Sequence, residues 1–263
     1  MRSTVHLLLV GDIVGKTGRK AVERFLPELR EKEEIDFVIA NGENAAGGRG
    51  VTQEVAQELF ALGVDVLTSG NHVWDKRDAY TFIEEEPRLL RPANYPPGVP
   101  GVGLGLYTLG DHSIAVINLL GRVFMQDVDC PFRKADELLA QVASQTKIVV
   151  VDFHCEATAE KQALGWFLDG RASVVFGTHT HVQTNDARIL PQGTAYITDV
   201  GMCGARDGVL GFTREPILHK FQTSLPARFE VAKGVFLFSA LLVKVDPATG
   251  RAESVTTVSL FDA

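Results

Sequence analysis

Five short apolar runs constrain this chain more than any other feature, because each stops at residues that can hold a metal ion. Val5 to Val10 stops at Gly11-Asp12, and Phe37 to Ala40 stops at Asn41-Gly42-Glu43-Asn44. Val64 to Thr68 stops at Ser69-Gly70-Asn71-His72. Lys147 to Val151 runs through Asp152-Phe153 to His154, and Ser173 to Phe176 runs into Gly177-Thr178-His179-Thr180-His181. Each run reads as a short buried strand. In an open α/β sheet, ligands bind outside the carboxyl ends of the strands. Asp12, Glu43, Asn44, Asn71, His72, His154, His179 and His181 are therefore expected to converge on one site.

Helical patterns separate the runs. Thr17 is placed to cap a helix reaching about Lys32, and Thr52 with Glu54 opens a second through Val55, Leu59 and Leu62. A third is predicted over 75–85, ending before Pro87, a fourth over 132–144, and a fifth from Thr158 to near Gly170. This alternation reads as α/β units. The middle and end differ: 101–109 and 113–120 form a predicted hairpin turning at Gly110-Asp111. Strand patterns follow at 194–199, 234–245 and 254–261, with few helices between. The expected fold class is α/β, with two mixed β-sheets packed face to face and flanked by helices, a four-layer α-β-β-α sandwich. A single mixed sheet is the alternative. The chain has 263 residues, 45% of them hydrophobic, and no linker, charge block or repeat, so residues 1–263 are read as one domain.

The formal net charge of -7 argues against a nucleic-acid polymer held on a broad basic face, but leaves room for a small phosphate ester held by metals. Cys130, Cys155 and Cys203 are widely spaced with no C-x-x-C pair, which fits a reducing cytosol. The apolar stretch Leu7 to Val10 is too short for a secretion signal. No stretch approaches the ~18 apolar residues of a membrane span. Gly11 to Thr17 lies between strand and helix as a phosphate-binding P-loop does, but three residues separate its glycines where that loop needs four. The simpler reading points Asp12 into a site and leaves Thr17 as a cap.

Singly, each candidate has a structural reading. Asp12 suits a turn, Glu43-Asn44 a polar loop, Asn71-His72 a structural pair, and His154 a hydrogen-bonded core position. A period of two puts His179 and His181 on one side of an extended segment. His6, His112 and His219 lack such context and read as surface or packing residues. Jointly, carboxylate, amide and imidazole suit manganese, iron or zinc, and the lack of cysteine in the set argues against a structural zinc cage. The set is large enough for two cations, which can clamp both oxygens of an in-line phosphoryl displacement.

These motifs resemble those of the calcineurin-like metallophosphoesterases: Gly-Asp after the first strand, a bridging carboxylate after the second, Gly-Asn-His after the third, an isolated His and a closing His-x-His. Two departures stand out. Val14 occupies the histidine position of the usual Asp-x-His, and Gly42-Glu43-Asn44 stands where an aspartate is usual. Both departures fit the bacterial YmdB-like 2′,3′-cyclic nucleotide phosphodiesterase branch. The chain is similar to that branch over Leu8 to Gly15, Asn41 to Ala45, Ser69 to Asp75, Arg91 to Pro96, Asp152 to His154, Gly177 to His181 and Thr198 to Met202.

The resemblance implies one divalent metal on Asp12, Glu43, Asn44 and His181, and a second on Glu43, Asn71, His154 and His179, with Glu43 bridging. It implies His72 as general acid, iron or manganese as the metals with zinc as the alternative, and small nucleotide phosphodiesters as substrates, 2′,3′-cyclic nucleotides first. A phosphomonoesterase with the same site and a regulatory protein that binds metal and nucleotide with little turnover are the alternatives; His72 favours the enzyme. The resemblance also hints at a homo-oligomer, for which the sequence carries no interface signal. Cys155, beside His154, bears on metal choice. Arg49, Arg122 and Arg206 are candidates for meeting a phosphate, or plain surface residues.

Overall fold

The apolar runs become strands buried on both faces in a computed structural model that describes residues 4–262. One sheet runs in the order β2 (Asp12–Ile13), β11 (Met202–Ala205), β12 (Phe236–Val245), β1 (Val5–Val10), β3 (Phe37–Asn41) and β4 (Val66–Thr68), with β13 (Ala252–Phe261) also paired to β12. The other runs β5 (Leu104–Leu109), β6 (His112–Leu120), β7 (Ile148–His154), β8 (Val174–Thr178), β10 (Ala195–Ile197) and β9 (Arg188–Ile189). Both are mixed: β1, β3 and β4 run parallel while β12 opposes β1. In the second sheet β6, β7, β8 and β10 run parallel while β5 and β9 are antiparallel edges.

Alternation along each strand splits its side chains between two cores. Leu7 and Leu9 of β1 and Ile39 of β3 meet Val116, Val150 and Phe176 of the other sheet. Leu8, Val10, Val38 and Ala40 instead face α1 (Gly15–Lys32) and α2 (Gln53–Ala61), with α3 (Ala79–Glu85) beside them. On the far side, Val149, Val151 and Phe153 pack on α4 (Pro131–Val142) and α5 (Thr158–Leu168). The result is the four-layer α-β-β-α sandwich. Strands covered on both faces need apolar residues at every position, which is why the runs are continuous rather than alternating. No helix among the described residues is long and apolar enough to cross a membrane.

Parallel register aligns the carboxyl ends. Val10 lies beside Ala40, Asn41 beside Thr68, and His154 beside Thr178. Thr52 caps α2, its side chain accepting from the Val55 amide. Thr17 does not cap α1. Gly15 adopts φ 55° and starts the helix two residues earlier, so Thr17 lies inside it and donates to Ala232 O at 2.7 Å. The Val14 and Gly15 amides are taken by Cys203 O and Asn44 O, so this turn cannot wrap a phosphate as a P-loop does. The third helix is shorter than predicted because 71–78 is drawn into turns by the bonds of His72 N–H to Glu43 and of Asp78 to the Gln53 amide. Strand β11 and helix α6 (Arg214–Thr223) are not predicted by the sequence pattern.

Leu9 is fully buried in the layer between the sheets. Leu9→Ala is expected to destabilise the fold by about 2–5 kcal/mol, read from urea unfolding. A loss below about 1 kcal/mol would mean that this layer does not hold the sheets together.

Candidate active site

The strand ends bring the eight singled-out residues to one edge of the sandwich. His154, at the end of β7, is fully buried, and its Nε2 faces Glu43 Oε1 at 3.0 Å, Asn71 Oδ1 at 3.1 Å and His179 Nδ1 at 2.9 Å. One N–H cannot serve three partners at once. Ligand atoms of Glu43, His154 and His179 all lie within 4.8 Å of one another. Beside them His181 Nε2 lies 3.2 Å from Asn44 Nδ2 and 3.7 Å from Asp12 Oδ1, and Asn44 Nδ2 reaches Glu43 Oε1 at 3.3 Å. Glu43 touches both groups. Asp12 Oδ1 is buried without a hydrogen-bond partner.

Bonds on the outer side of each ring fix what the inner side offers. Thr178 Oγ1 donates to Asp152 Oδ1 at 2.7 Å, so it accepts from His154 Nδ1 at 2.9 Å. Leu210 O can only accept, so His181 Nδ1, 3.0 Å away, carries the hydrogen. Glu156 Oε2 lies 3.1 Å from His179 Nε2. Three imidazoles are thus held from outside, as metal-ligating histidines are, and present their other nitrogens inward. The orphaned Asp12 oxygen, the crowded His154 nitrogen and the mixed carboxylate, amide and imidazole donors all fit divalent cations.

The charges respond to that crowding. Burial pushes the Glu43 carboxyl up, but His154 overcomes it and brings Glu43 down to about 2. Burial opposes the His154 imidazolium, but Glu43, Asp12 and Asp152 outweigh it and lift His154 to about 9. Burial and the His154 charge hold His179 down to about 3. Asp12 is raised, chiefly by burial. The cluster thus draws positive charge to its centre.

His72 stands apart from this cluster. Its Nδ1 pairs with Asp75 Oδ2 at 3.0 Å, which leaves Nε2 free to face a ligand. With Glu43, Asn44, His179 and His181 it lines a cavity of about 420 Å³, within the usual range for small-molecule sites. Of the three candidate arginines only Arg49 lines this cavity. Arg206 stacks on Phe261 at 3.8 Å, and Arg122 lies on a loop whose amides bind Glu160.

The family model described as "YmdB-like protein" matches residues 8–258. The chain is 49% identical over 258 residues to a 2′,3′-cyclic-nucleotide 2′-phosphodiesterase of Bacillus subtilis (strain 168), covering 98% of each chain. The chain belongs to the YmdB-like family. A crystal structure of a hypothetical protein from Thermus thermophilus superposes with TM-score 0.93 at 40% identity, covering 98% of this chain and 100% of that one. A crystal structure of a phosphatase from Mycoplasma pneumoniae gives TM-score 0.94 at 32% identity, covering 99% and 95%. This YmdB-like protein is an enzyme of the metallophosphoesterase type.

Residues that the sequence reading did not weigh hold the YmdB-like site in place. The buried Asp152 carboxylate accepts from Thr178, from Asn41 Nδ2 at 3.1 Å and from Thr68 Oγ1 at 2.5 Å. The buried Lys161 pairs with Asp199 at 2.7 Å, and Asp199 also takes the Thr180 amide and hydroxyl. That anchor holds a bend, not an extended segment: β8 ends at Thr178, and His179 and His181 sit at φ 96° and 65°. Left-handed backbone at two non-glycine residues is strained and persists only where surroundings enforce it. A Cβ on Gly70 would lie 2.2 Å from His154 and 2.3 Å from Glu43, so only glycine admits both side chains. Cys155 turns away into the core beside α4 and α5, its Sγ 3.2 Å from Glu160, and burial pushes its thiol far above the usual range. His6 is buried against Glu33 O, while His112 and His219 are exposed.

The His154 shift sets a pH dependence. With chelator present, the folded chain keeps a proton on His154 between its ordinary 6.5 and about 9, while the unfolded chain releases it. Stability therefore falls as pH rises through that window, by an amount on the order of 3 kcal/mol. Urea midpoints across the window check this, and His154→Gln is expected to flatten the slope. A midpoint that rises with pH would mean that the Glu43–His154 pair is not ionised.

Proposed function

We propose that this protein is a dinuclear metal-dependent phosphodiesterase acting on small nucleotide phosphodiesters, 2′,3′-cyclic nucleotides first. The observation that carries the reading is the crowding of Glu43, Asn71 and His179 around His154 Nε2, beside the buried unpartnered Asp12 Oδ1. The identity to a protein named 2′,3′-cyclic-nucleotide 2′-phosphodiesterase supports the substrate class. Asp12, Glu43, Asn44 and His181 would hold one cation, and Glu43, Asn71, His154 and His179 the other. Iron or manganese suits these oxygen and nitrogen donors. Bound there, divalent cations lower the pKa of water to near neutrality and offset the charge of the phosphoryl group.

The chain's own residues supply the rest. Asp12 and Glu43, both fully buried, would hold the cations at the floor of the site. His72 Nε2 delivers a proton to the departing sugar oxygen. Asp75, on Nδ1, steadies the ring. Arg49 faces the same cavity and offers a donor pair to a non-bridging phosphoryl oxygen. The free state of Cys130, Cys155 and Cys203 accords with work in a reducing cytoplasm.

His72→Ala is expected to lower kcat by about 10²–10⁴-fold while metal content, read by elemental analysis, stays that of the parent. Loss of metal in that variant would make His72 a ligand instead. Asn71→Ala and His154→Ala are each expected to lose one of the two cations; full occupancy in both would sink the ligand assignment. Turnover of 2′,3′-cyclic AMP, a p-nitrophenyl diester and a p-nitrophenyl monoester with manganese or iron(II) tests the reaction. Diester turnover abolished by chelation is the expected result. Preference for the monoester would move the protein to the phosphomonoesterases, and metal uptake without turnover would make it a sensor.

A further inference from the structure

The cavity over His72 has a second wall that the proposed chemistry does not use. Opposite the carboxylates and imidazoles it is lined by Val209, Leu210, Phe212, Ile217, Phe221 and Phe229, with Lys220 at the rim. Phe212 and Phe229 stand with ring centroids 6.3 Å apart, and Lys220 Nζ lies 5.2 Å over Phe229. Phe221, on α6, is 82% exposed although its ring lines the cavity. Together with the apolar side chains lining the same cavity, it makes a contiguous apolar face beside a polar site, the kind of surface that binds ligands.

The wall is fixed to the reacting end. Within the wall Phe212 pairs with Val209 and Val231 through isolated β-bridges, and next to Val231 the Thr17 hydroxyl of α1 donates to Ala232 O. A Cβ on Gly48 would lie 2.9 Å from the Phe212 ring, so the loop after Glu43 meets this wall closely. Leu210, at φ 54°, turns its carbonyl to His181 Nδ1. An occupant of the wall is therefore held at a set position relative to the cluster.

Resting on the diesterase reading, we infer that Phe212, Phe221 and Phe229 form the subsite that takes the planar base of a nucleotide whose phosphate lies over the cluster. Every base has a π-face, so aromatic side chains bind bases with little regard to identity. Nothing in the wall matches a particular hydrogen-bonding edge, and the inferred preference is for any purine or pyrimidine over a base-free sugar phosphate. Lys220 adds positive charge at the mouth of an otherwise acidic chain and suits an anionic ligand approaching base-first or phosphate-first.

The test compares binding of 3′-AMP and ribose 3-phosphate, by calorimetry on the metal-loaded protein, with Phe221→Ala and Phe221→Trp. Phe221 is exposed, so Phe221→Ala is expected to fold as the parent does. The parent is expected to bind 3′-AMP roughly 5- to 100-fold more tightly than ribose 3-phosphate. Phe221→Ala is expected to lose most of that advantage while its Kd for ribose 3-phosphate stays within about twofold; Phe221→Trp is expected to keep it. Equal affinity of the parent for both ligands, as a protein-docking face would give, overturns the inference. So does a Phe221→Ala variant that weakens both ligands alike. A base-dependent Kd in a protein that hydrolyses no diester would defeat the proposed reaction and leave the subsite standing; diester turnover with no base preference would do the reverse.

Discussion

The site depends on one buried carboxylate that ties the two sheets together. Asp152, on β7, accepts from Asn41 and Thr68 of the first sheet and from Thr178 of its own. Burial alone would make this costly, and it pushes the carboxyl up to about 6 despite the His154 charge and the three donors. A half-satisfied buried carboxylate is worse than an apolar residue, whereas a fully bonded one fixes geometry. Here the geometry fixed is the height of one sheet's strand ends against the other's. A slip of one residue in β3 or β4 would take Asn41 or Thr68 out of reach. Asp152 also acts on the chemistry through Thr178, whose hydroxyl hands its hydrogen to Asp152 and so must accept from His154. One carboxylate thereby sets the sheet register and decides which His154 nitrogen faces inward.

A second buried ion pair plays the matching part for the histidine segment. Lys161 on α5 and Asp199 after β10 lie almost without solvent. Such a pair adds little net stability, but removing one partner leaves an uncompensated charge. Asp199 uses its second capacity on the Thr180 amide and hydroxyl and on the Gly201 amide. That grip lets His179 and His181 hold left-handed backbone, which turns both rings toward the cluster although the chain has left the strand. The two-residue spacing thus works by a pinned bend rather than by strand alternation.

These supports explain which parts were legible in the sequence. The strands showed because burial on both faces forces unbroken apolar runs, and the ligand-type residues showed because they interrupt those runs at the ends. Asn41, Thr68, Asp152 and Thr178 carry the same polar signal one or two residues earlier. They read as fading strand rather than as a network, because nothing local says that a side chain on β7 will meet one on β3. The Thr17 cap failed for a related reason: a cap is a local pattern, but Gly15 and the carbonyls of Asn44 and Cys203 had already started the helix. Helix α6 was missed because its burial rests on Ile217 alone, and a helix with one buried residue leaves no periodic stripe to find.

That weakness of α6 is informative about how the site is divided. The groups that would hold metal are contributed by strand ends, where parallel register and dense packing hold positions tightly. The aromatic wall is contributed by residues 209–231, which pair with one another through two isolated bridges and stand against the body where Phe212 and Val231 meet Gly48 and where Val231 meets Gly15. Reaction geometry needs tight positioning, and a π-face that takes any base needs only a surface at the right distance. The two parts also meet at the Leu210 carbonyl. By accepting from His181 Nδ1 it leaves Nε2 facing Asp12 and Asn44, so displacement of the wall would also release one inward-facing nitrogen of the cluster. The aromatic end and the metal-binding end are thus joined by this hydrogen bond of 3.0 Å as well as by the packing of Phe212 against the Gly48 loop.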